Sequence, residues 1–166
     1  MGESLLVERE FYYLRLPVDA LPVAPDVEIL PVQEFLQDET ACRALWQLLD
    51  SQFRTRSKFL AIWPNVRYVA VHRTQEEVTG LLLISTMINW QIDYVVVRPD
   101  ARRRGIAAAL VNAAVNRAHE LNVPYVMLTS REGLRPLYEG ECGFRVVEQR
   151  SIDSVASFSD SFPKKG

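Results

Sequence analysis

The sequence predicts an α/β (α+β) domain built on a mixed β-sheet, and two observations support this prediction. Three β-rich apolar runs follow one another closely, at Val66–His72, Val78–Ile88 and Ile92–Val97. A long helical stretch comes next, and the apolar run Val123–Thr129 follows it as a strand buried on both faces. Strands on either side of one helix are typically parallel and joined by a right-handed crossover, so we expect both strand orientations in the sheet.

The composition is that of a folded domain with no strong charge bias. The chain has 166 residues, of which 48% are hydrophobic, and its 19 Lys and Arg against 21 Asp and Glu give a net charge of −2. This balance argues against nucleic acid or an anionic membrane as a partner. No signal-peptide pattern and no run of about 20 apolar residues is found. We therefore expect a cytoplasmic protein.

We expect one domain over residues 1–166. Residues 1–26 are predicted to form an N-terminal arm or edge strand, because Leu5–Leu16 is rich in β-formers and several prolines follow it. The core is predicted to occupy residues 27–150. The serine-rich tail, 151–166, is weakly patterned, so we expect it to be poorly ordered or dependent on a partner.

The first half of the core contains a predicted short strand and a helix. The strand is Val27–Leu30, and the helix runs from Pro31 or Val32 to Gln52. Phe53–Asn65 has basic residues followed by aromatic ones, and it is either an ordinary amphipathic helix or a substrate-contacting segment. Thr74–Glu77 is a polar turn that joins two strands as a hairpin, and Gly80 is expected to mark a bulge.

Cysteines and histidines are few and far apart. Cys42 and Cys142 form neither a disulfide framework nor a metal-binding pattern, and the isolated His72 and His119 have no metal-ligand spacing. We predict that both cysteines are buried structural thiols and that the protein has no metal site.

The stretch Ile92–Leu121 changes from strand to turn to helix within thirty positions. Pro99 ends the strand, because proline cannot continue a hydrogen-bonded ladder. Apolar residues at helical spacing then predict a helix that begins near Arg103 and ends near Asn122.

The start of this helix has the composition of a phosphate-binding site. The first turn of a helix has free backbone N–H groups and a partial positive charge. Gly105 and Ala107 have little or no side chain there, and Arg102–Arg104 adds positive charge. The alternative is that the arginines are simply solvated and that Gly105 eases a turn. Basic residues at a helix N-terminus oppose the dipole, however, and this favours an anion.

These residues resemble the signature of the GCN5-related N-acetyltransferase (GNAT) family, V-x-P-x-x-R-x-x-G-[IV]-[GA]. The signature is filled by Val97, Pro99, Arg102, Gly105, Ile106 and Ala107. A second element, in which a helix bearing Leu-Tyr precedes Gly-Phe, is similar at Tyr138 and Gly143–Phe144. The spacing there is one residue longer than the common form, which predicts a bulge at the end of that helix.

The resemblance implies a GNAT-like fold and an acetyl-CoA site. The fold would be a mixed, mostly antiparallel central sheet with a splayed parallel strand pair, flanked by helices on both faces. Acetyl-CoA would be the co-substrate, with no metal. The residues implied to bind it are Val95, Val97, Arg102, Arg103, Arg104, Gly105, Ile106, Ala107 and Ala108.

The resemblance also implies three catalytic groups. Tyr138 would be the acid, and the Val95 N–H would polarise the thioester carbonyl. Some relatives have a glutamate base where this chain has Gln91, which cannot accept a proton. We therefore take Asp93, two residues along the same strand face, as the candidate base. A water-mediated route, Glu132, or a purely structural role for Asp93 stays open.

The resemblance implies an N-acetyltransferase that moves an acetyl group to a primary amine by direct attack in a ternary complex. The amine would belong to a small molecule or a peptide, and a homodimer is possible. The alternative is a non-catalytic module that binds acetyl-CoA as a regulatory signal. A third interpretation, a nucleic-acid binder that uses Arg102–Arg104, is disfavoured by the acidic net charge.

Overall fold

The computed structural model describes residues 7–16, 20–22, 24–52, 57–86, 90–131 and 134–153. These residues divide into two compact units, a larger one within Leu16–Met127 and a smaller one formed by Met1–Arg15 and Leu128–Gly166. The predicted single domain stays a prediction. The strands are β1 (Val7–Arg15), β2 (Val27–Pro31), β3 (Val66–Thr74), β4 (Glu77–Ser85), β5 (Trp90–Val97), β6 (Val126–Arg131) and β7 (Arg145–Asp153). The α-helices are α1 (Val32–Phe35), α2 (Glu39–Gln52), α3 (Ser57–Ile62) and α4 (Ile106–Glu120).

Four antiparallel strands form the sheet of the larger unit, in the order β2-β3-β4-β5. The β3–β4 hairpin is as predicted, and its turn residues Gln75 and Glu76 have positive φ values of 52° and 72°. Thr79 is an extra residue in β4, because His72 is opposite Gly80 while Arg73 is opposite Val78. The bulge expected near Gly80 is therefore present.

Helices cover both faces of this sheet. Leu81 and Leu83 of β4 belong to a core cluster with α2 residues such as Leu45. The neighbouring Gly80 points to the opposite face, because side chains alternate along a strand. There, a Cβ at residue 80 would lie 2.9 Å from Ile106 Cγ2, so α4 packs on that face.

The predicted helix between Val32 and Gln52 is broken into α1 and α2. Asp38 causes the break, because its Oδ1 accepts the backbone N–H of Ala41 at 3.0 Å and caps the start of α2. Hydrogen bonding to Ala41 is the largest of the effects that lower the pKa of Asp38, and an ion pair with Arg73 lowers it further.

Helix α4 is shorter than the predicted span Arg103–Asn122. Arg103 and Gly105 have φ values of 66° and 77°, in the left-handed region, so the helix cannot begin before Ile106. Asn122 is also left-handed, at 56°, just after the helix end.

The smaller unit has the strand order β6-β1-β7. Strand β1 lies within the stretch Leu5–Leu16 and is central in this order, because β7 pairs with it from Leu14↔Arg145 to Val7↔Asp153. The division into arm or edge strand, core and tail stays a prediction. Strand β7 runs to Asp153, so residues 151–153 of the predicted tail belong to this strand. The rest of the predicted tail, 154–166, lies outside the described residues.

Replacing Gly80 with alanine is expected to lower the free energy of unfolding by about 1–3 kcal/mol, because the new Cβ collides with Ile106 and Leu110. The nearest contacts would be 2.9 Å and 3.0 Å, and the β-branched Ile106 has little rotamer freedom to move away. Urea denaturation measures the change.

Gly140→Ala is the matched control, because a Cβ at Gly140 would meet no atom within 4 Å. It should change the stability by less than about 1 kcal/mol. Equal effects of the two substitutions would contradict the packing argument.

Candidate functional site

The N-terminus of α4 offers unpaired backbone N–H groups. Gly105 is the N-cap, with φ 77° and ψ 12°, and no side chain of a described residue caps the helix. The Gly105 carbonyl accepts the Ala109 N–H at 3.0 Å, so the amides of Ile106–Ala108 precede the first helical hydrogen bond. A Cβ at Gly105 would have no atom within 4 Å, so the space beside the N-cap residue is unfilled.

Three arginines lead into this helix start. Arg102, Arg103 and Arg104 are all exposed, and among the described residues none of them forms a salt bridge. Arg102 Nε donates to the Val97 carbonyl at 3.3 Å. Arg98 differs, because its guanidinium bonds Asp100 at 2.6 Å and Glu77 at 2.8 Å. The unmatched positive charge therefore lies at the mouth of α4.

Strand β5 has a bulge at Asp93. Ile92 is opposite Ile84 and Tyr94 is opposite Leu83, so Asp93 is an extra residue without a partner across the ladder. A bulge interrupts the ladder and re-aims side chains, and bulges are common beside functional sites.

Asp93 is a partly buried carboxyl whose two oxygens differ in environment. Ser85, which is opposite Gln91 in the ladder, hydrogen-bonds the Asp93 side chain. The Oδ2 atom is buried and has no hydrogen-bond partner among the described residues. Burial raises the pKa of Asp93, and the Ser85 hydrogen bond opposes this only in part. A carboxyl in this state can exchange a proton nearer to neutral pH than an ordinary aspartate.

Strand β5 also contains Val95, Val97 and Gln91. Val95 and Val97 are half-buried on β5, opposite Leu82 and Gly80. Gln91 is exposed at the start of the strand. Glu132, the alternative base, lies outside the described residues.

An aromatic cluster lies against the bulged strand. Phe59 of α3 is stacked on Trp63 at 5.4 Å, meets Trp46 edge-on at 5.4 Å, and lies 5.9 Å from Tyr94, which follows the bulge. Phe59 is buried, whereas Trp46 is 36% exposed. The described part of the Phe53–Asn65 segment therefore contributes aromatic residues to the core and contacts β5 at Tyr94.

In the smaller unit, Tyr138 lies in the π-helix Pro136–Glu141. The Cys142 N–H donates to the Leu137 carbonyl at 3.0 Å, five residues back, and this wide turn contains the extra residue. The predicted bulge at this helix end is confirmed.

The Tyr138 side chain is buried. Its ring lies 5.5 Å from Tyr13 and 6.3 Å from Phe144, both in the same unit. Burial, with smaller contributions from Cys142 and Tyr13, raises the pKa of Tyr138 to about 12. The phenol therefore keeps its proton at neutral pH and can act as a proton donor but not as a base.

The thiols have the properties of structural residues. The Cys42 Sγ donates to the Phe35 carbonyl at 3.3 Å, and burial raises the pKa of Cys42. Burial also raises the pKa of Cys142 to about 12. Within the described part of the chain, no group of three or more His, Cys, Asp or Glu residues could hold a metal ion, and no helix could cross a bilayer.

The sequence predicted Asp93 but neither the bulge at this residue nor its partner Ser85. A serine at the end of an apolar strand is an ordinary strand-end residue, and the pairing that brings it to Asp93 depends on the register of β4 with β5. No local pattern in the sequence reports that register.

Comparison with solved structures gives the fold. A GCN5-related N-acetyltransferase from Sphaerobacter thermophilus matches 86% of this chain and 50% of its own, with a TM-score of 0.65 and 19% identity. One from Kribbella flavida matches 92% of this chain and 60% of its own, with a TM-score of 0.61 and 15% identity. This chain therefore spans about half to three-fifths of the length of these two structures. The predicted fold class, a GNAT-like mixed α/β fold, is confirmed.

Comparison with known sequences gives the family. Among proteins of curated function, none is significantly similar in sequence. The model of the Acetyltransferase (GNAT) family matches residues 32–144, which is more than half of the chain and includes the strand β5, the arginines and helix α4. The chain belongs to the GNAT acetyltransferase family.

Proposed function

We propose that the protein is an N-acetyltransferase that transfers an acetyl group from acetyl-CoA to a primary amine of a small molecule or a peptide. The main observation behind this proposal is the start of α4, where the amides of Ile106–Ala108 precede the first helical hydrogen bond and three exposed arginines lead into the helix. A diphosphate fits such a site because it supplies both acceptor oxygens and negative charge. Family membership makes acetyl-CoA the diphosphate expected there.

Different residues would bind the charged pyrophosphate and the pantetheine arm of acetyl-CoA. The amides of Ile106, Ala107 and Ala108, with the Arg103 and Arg104 side chains, would hold the pyrophosphate. Arg102 would add charge while remaining bonded to the Val97 carbonyl. The backbone of β5 at Val95 and Val97 would pair with the pantetheine arm.

In the proposed reaction the amine attacks the acetyl carbon directly in a ternary complex. Acetyl-CoA supplies the acetyl group as a thioester. A new N–C bond forms, the C–S bond breaks, and two protons move. Asp93, with its raised pKa, would take the proton of the ammonium, and the Val95 N–H would donate to the thioester oxygen. Tyr138 would return a proton to the departing sulfur.

Gly105→Asp is expected to weaken acetyl-CoA binding more than the isosteric Gly105→Asn, by about tenfold or more. Both side chains tolerate the left-handed conformation and have the same shape, so the difference between them reports the added negative charge. Calorimetric titration of acetyl-CoA measures both affinities. Equal affinities for the two variants would show that no anion binds at this helix start.

Asp93→Asn is expected to lower kcat by about 10²-fold, because asparagine keeps the shape and an acceptor for Ser85 but cannot take a proton. The rate of CoA release with a saturating amine measures the effect. Asp100→Asn is the control, since Asp100 is exposed on the loop before α4. An equal loss in both variants would remove Asp93 as the base.

The same variant tests the raised pKa. Because the folded state binds this proton more tightly than the unfolded state, the stability contributed by Asp93 falls as pH rises from below about 4 through the raised pKa. Asp93→Asn should therefore gain stability relative to the unaltered protein as pH rises through that window. If folding raises the proton affinity of Asp93 tenfold, the gain in stability should be about 1.4 kcal/mol. A difference independent of pH would contradict the buried-carboxylate argument.

Tyr138→Phe is expected to lower kcat by about 10²-fold while leaving the acetyl-CoA affinity nearly unchanged, because only the proton donor is lost. Tyr13→Phe removes a hydroxyl from the neighbouring ring and should leave kcat within a few-fold.

If the unaltered protein binds acetyl-CoA but turns over no amine in a broad panel, the protein is a non-catalytic acetyl-CoA-binding module.

A further inference from the structure

The segment Arg98–Gly105, here called the arginine loop, leaves strand β5 and leads into α4. Its first residue is tied to β4, because the Arg98 N–H donates to the Thr79 carbonyl at 2.8 Å. The Arg98 carbonyl then accepts the N–H of the buried Ala101 at 2.9 Å. The ion pairs of the Arg98 side chain involve exposed carboxylates and are expected to contribute less. The place where the loop starts therefore depends on where β4 holds the Thr79 carbonyl.

Thr79 is held by a buried histidine. It is the extra residue of the bulge in β4, so it is opposite no residue of β3. Its hydroxyl lies 2.7 Å from His72 Nδ1, donates to the His72 carbonyl at 3.3 Å, and lies 3.4 Å from the Thr74 hydroxyl. Burial lowers the pKa of His72, against a smaller opposing effect of Asp26, so the ring is neutral at neutral pH. In either tautomer a neutral ring can share a hydrogen bond with a hydroxyl, which both donates and accepts.

The residue next to Thr79 holds the other end of the arginine loop. A Cβ at Gly80 would lie 2.9 Å from Ile106, the first residue of α4. Between these two attachments the loop has a non-glycine residue, Arg103, in the left-handed region at φ 66°. Such a conformation is disfavoured for a residue with a side chain and persists only where the surrounding structure imposes it. The bulge in β4 thus attaches both ends of a strained loop.

We propose that Thr79 is a positioning residue for the diphosphate site, and that its hydroxyl holds the bulge from which the arginine loop and α4 are placed. Its side chain is only 1% exposed, so it acts through Arg98 and not by touching the ligand. Donor groups that bind a phosphate must be held close to their productive geometry, so a small shift of the loop weakens binding. This inference rests on the proposed function, because it assumes that acetyl-CoA binds at the start of α4.

The first test compares Thr79→Val with Thr79→Ser. Valine has the shape of threonine without the hydroxyl, so Thr79→Val should weaken acetyl-CoA binding by about fivefold. Its kcat at saturating acetyl-CoA and amine should stay within about twofold, since the reacting groups are unchanged. Thr79→Ser returns the hydroxyl and should restore the affinity to within about twofold. Calorimetric titration and steady-state kinetics measure these effects.

Amide hydrogen exchange without acetyl-CoA separates positioning from a general loss of stability. In Thr79→Val the Arg98 and Ala101 amides should exchange about fivefold faster, while the amide of Val115, which is buried in the middle of α4, should change less. Equal acceleration at all three amides would mean that the hydroxyl stabilises the whole fold, and it would overturn the inference.

Thr86→Val is the matched control, because it is the same substitution at an exposed residue just after the other end of β4. It should leave both the affinity and the exchange unchanged. If the unaltered protein binds acetyl-CoA and Thr79→Val binds it equally well, or Thr79→Ser fails to restore the affinity, the role of Thr79 alone is overturned. Failure of the unaltered protein to bind acetyl-CoA would overturn the proposed function, and this inference with it.

Discussion

Helix α4 lies so close to strand β4 that no side chain fits between them at residue 80. Gly80 allows this approach, because even a methyl group there would lie 2.9 Å from Ile106. Ile106 is the first residue of the helix, so the same contact that seats the helix on the sheet also fixes its N-terminus. The open amides and the exposed arginines thus depend on a glycine more than twenty residues earlier.

Strand β5 connects this helix start to the proposed chemistry. Its C-terminal end leads into the arginines, and its middle has the bulge at Asp93, whose carboxyl bonds Ser85 of the adjacent strand. An extra residue in β5 interrupts its ladder with β4 beside well-packed neighbours such as Val96. The bulge coincides with a partly buried carboxyl whose pKa is raised, a combination that is common at functional sites.

Short-range features were predictable from the sequence, whereas long-range pairings were not. The signature from Val97 to Ala107 predicted a helix after the strand, although the helix begins at Ile106 and not near Arg103. One extra residue after Tyr138 predicted the bulge at the end of the next helix, because both features follow from local backbone chemistry. The cap at Asp38 was also local, but the apolar periodicity that continues across it concealed the break. The central place of β1 and the bulge at Asp93 depend on pairing between distant strands, and no local pattern reports that.

The central claim is that acetyl-CoA binds with its pyrophosphate on the first turn of α4. Backbone amide NMR of the unaltered protein, recorded during titration with acetyl-CoA, tests it most directly. We expect the largest shifts at Gly105 and at the amides of Ile106–Ala108, followed by those of β5 near Val95. Absence of binding, or shifts confined to other parts of the chain, would contradict it.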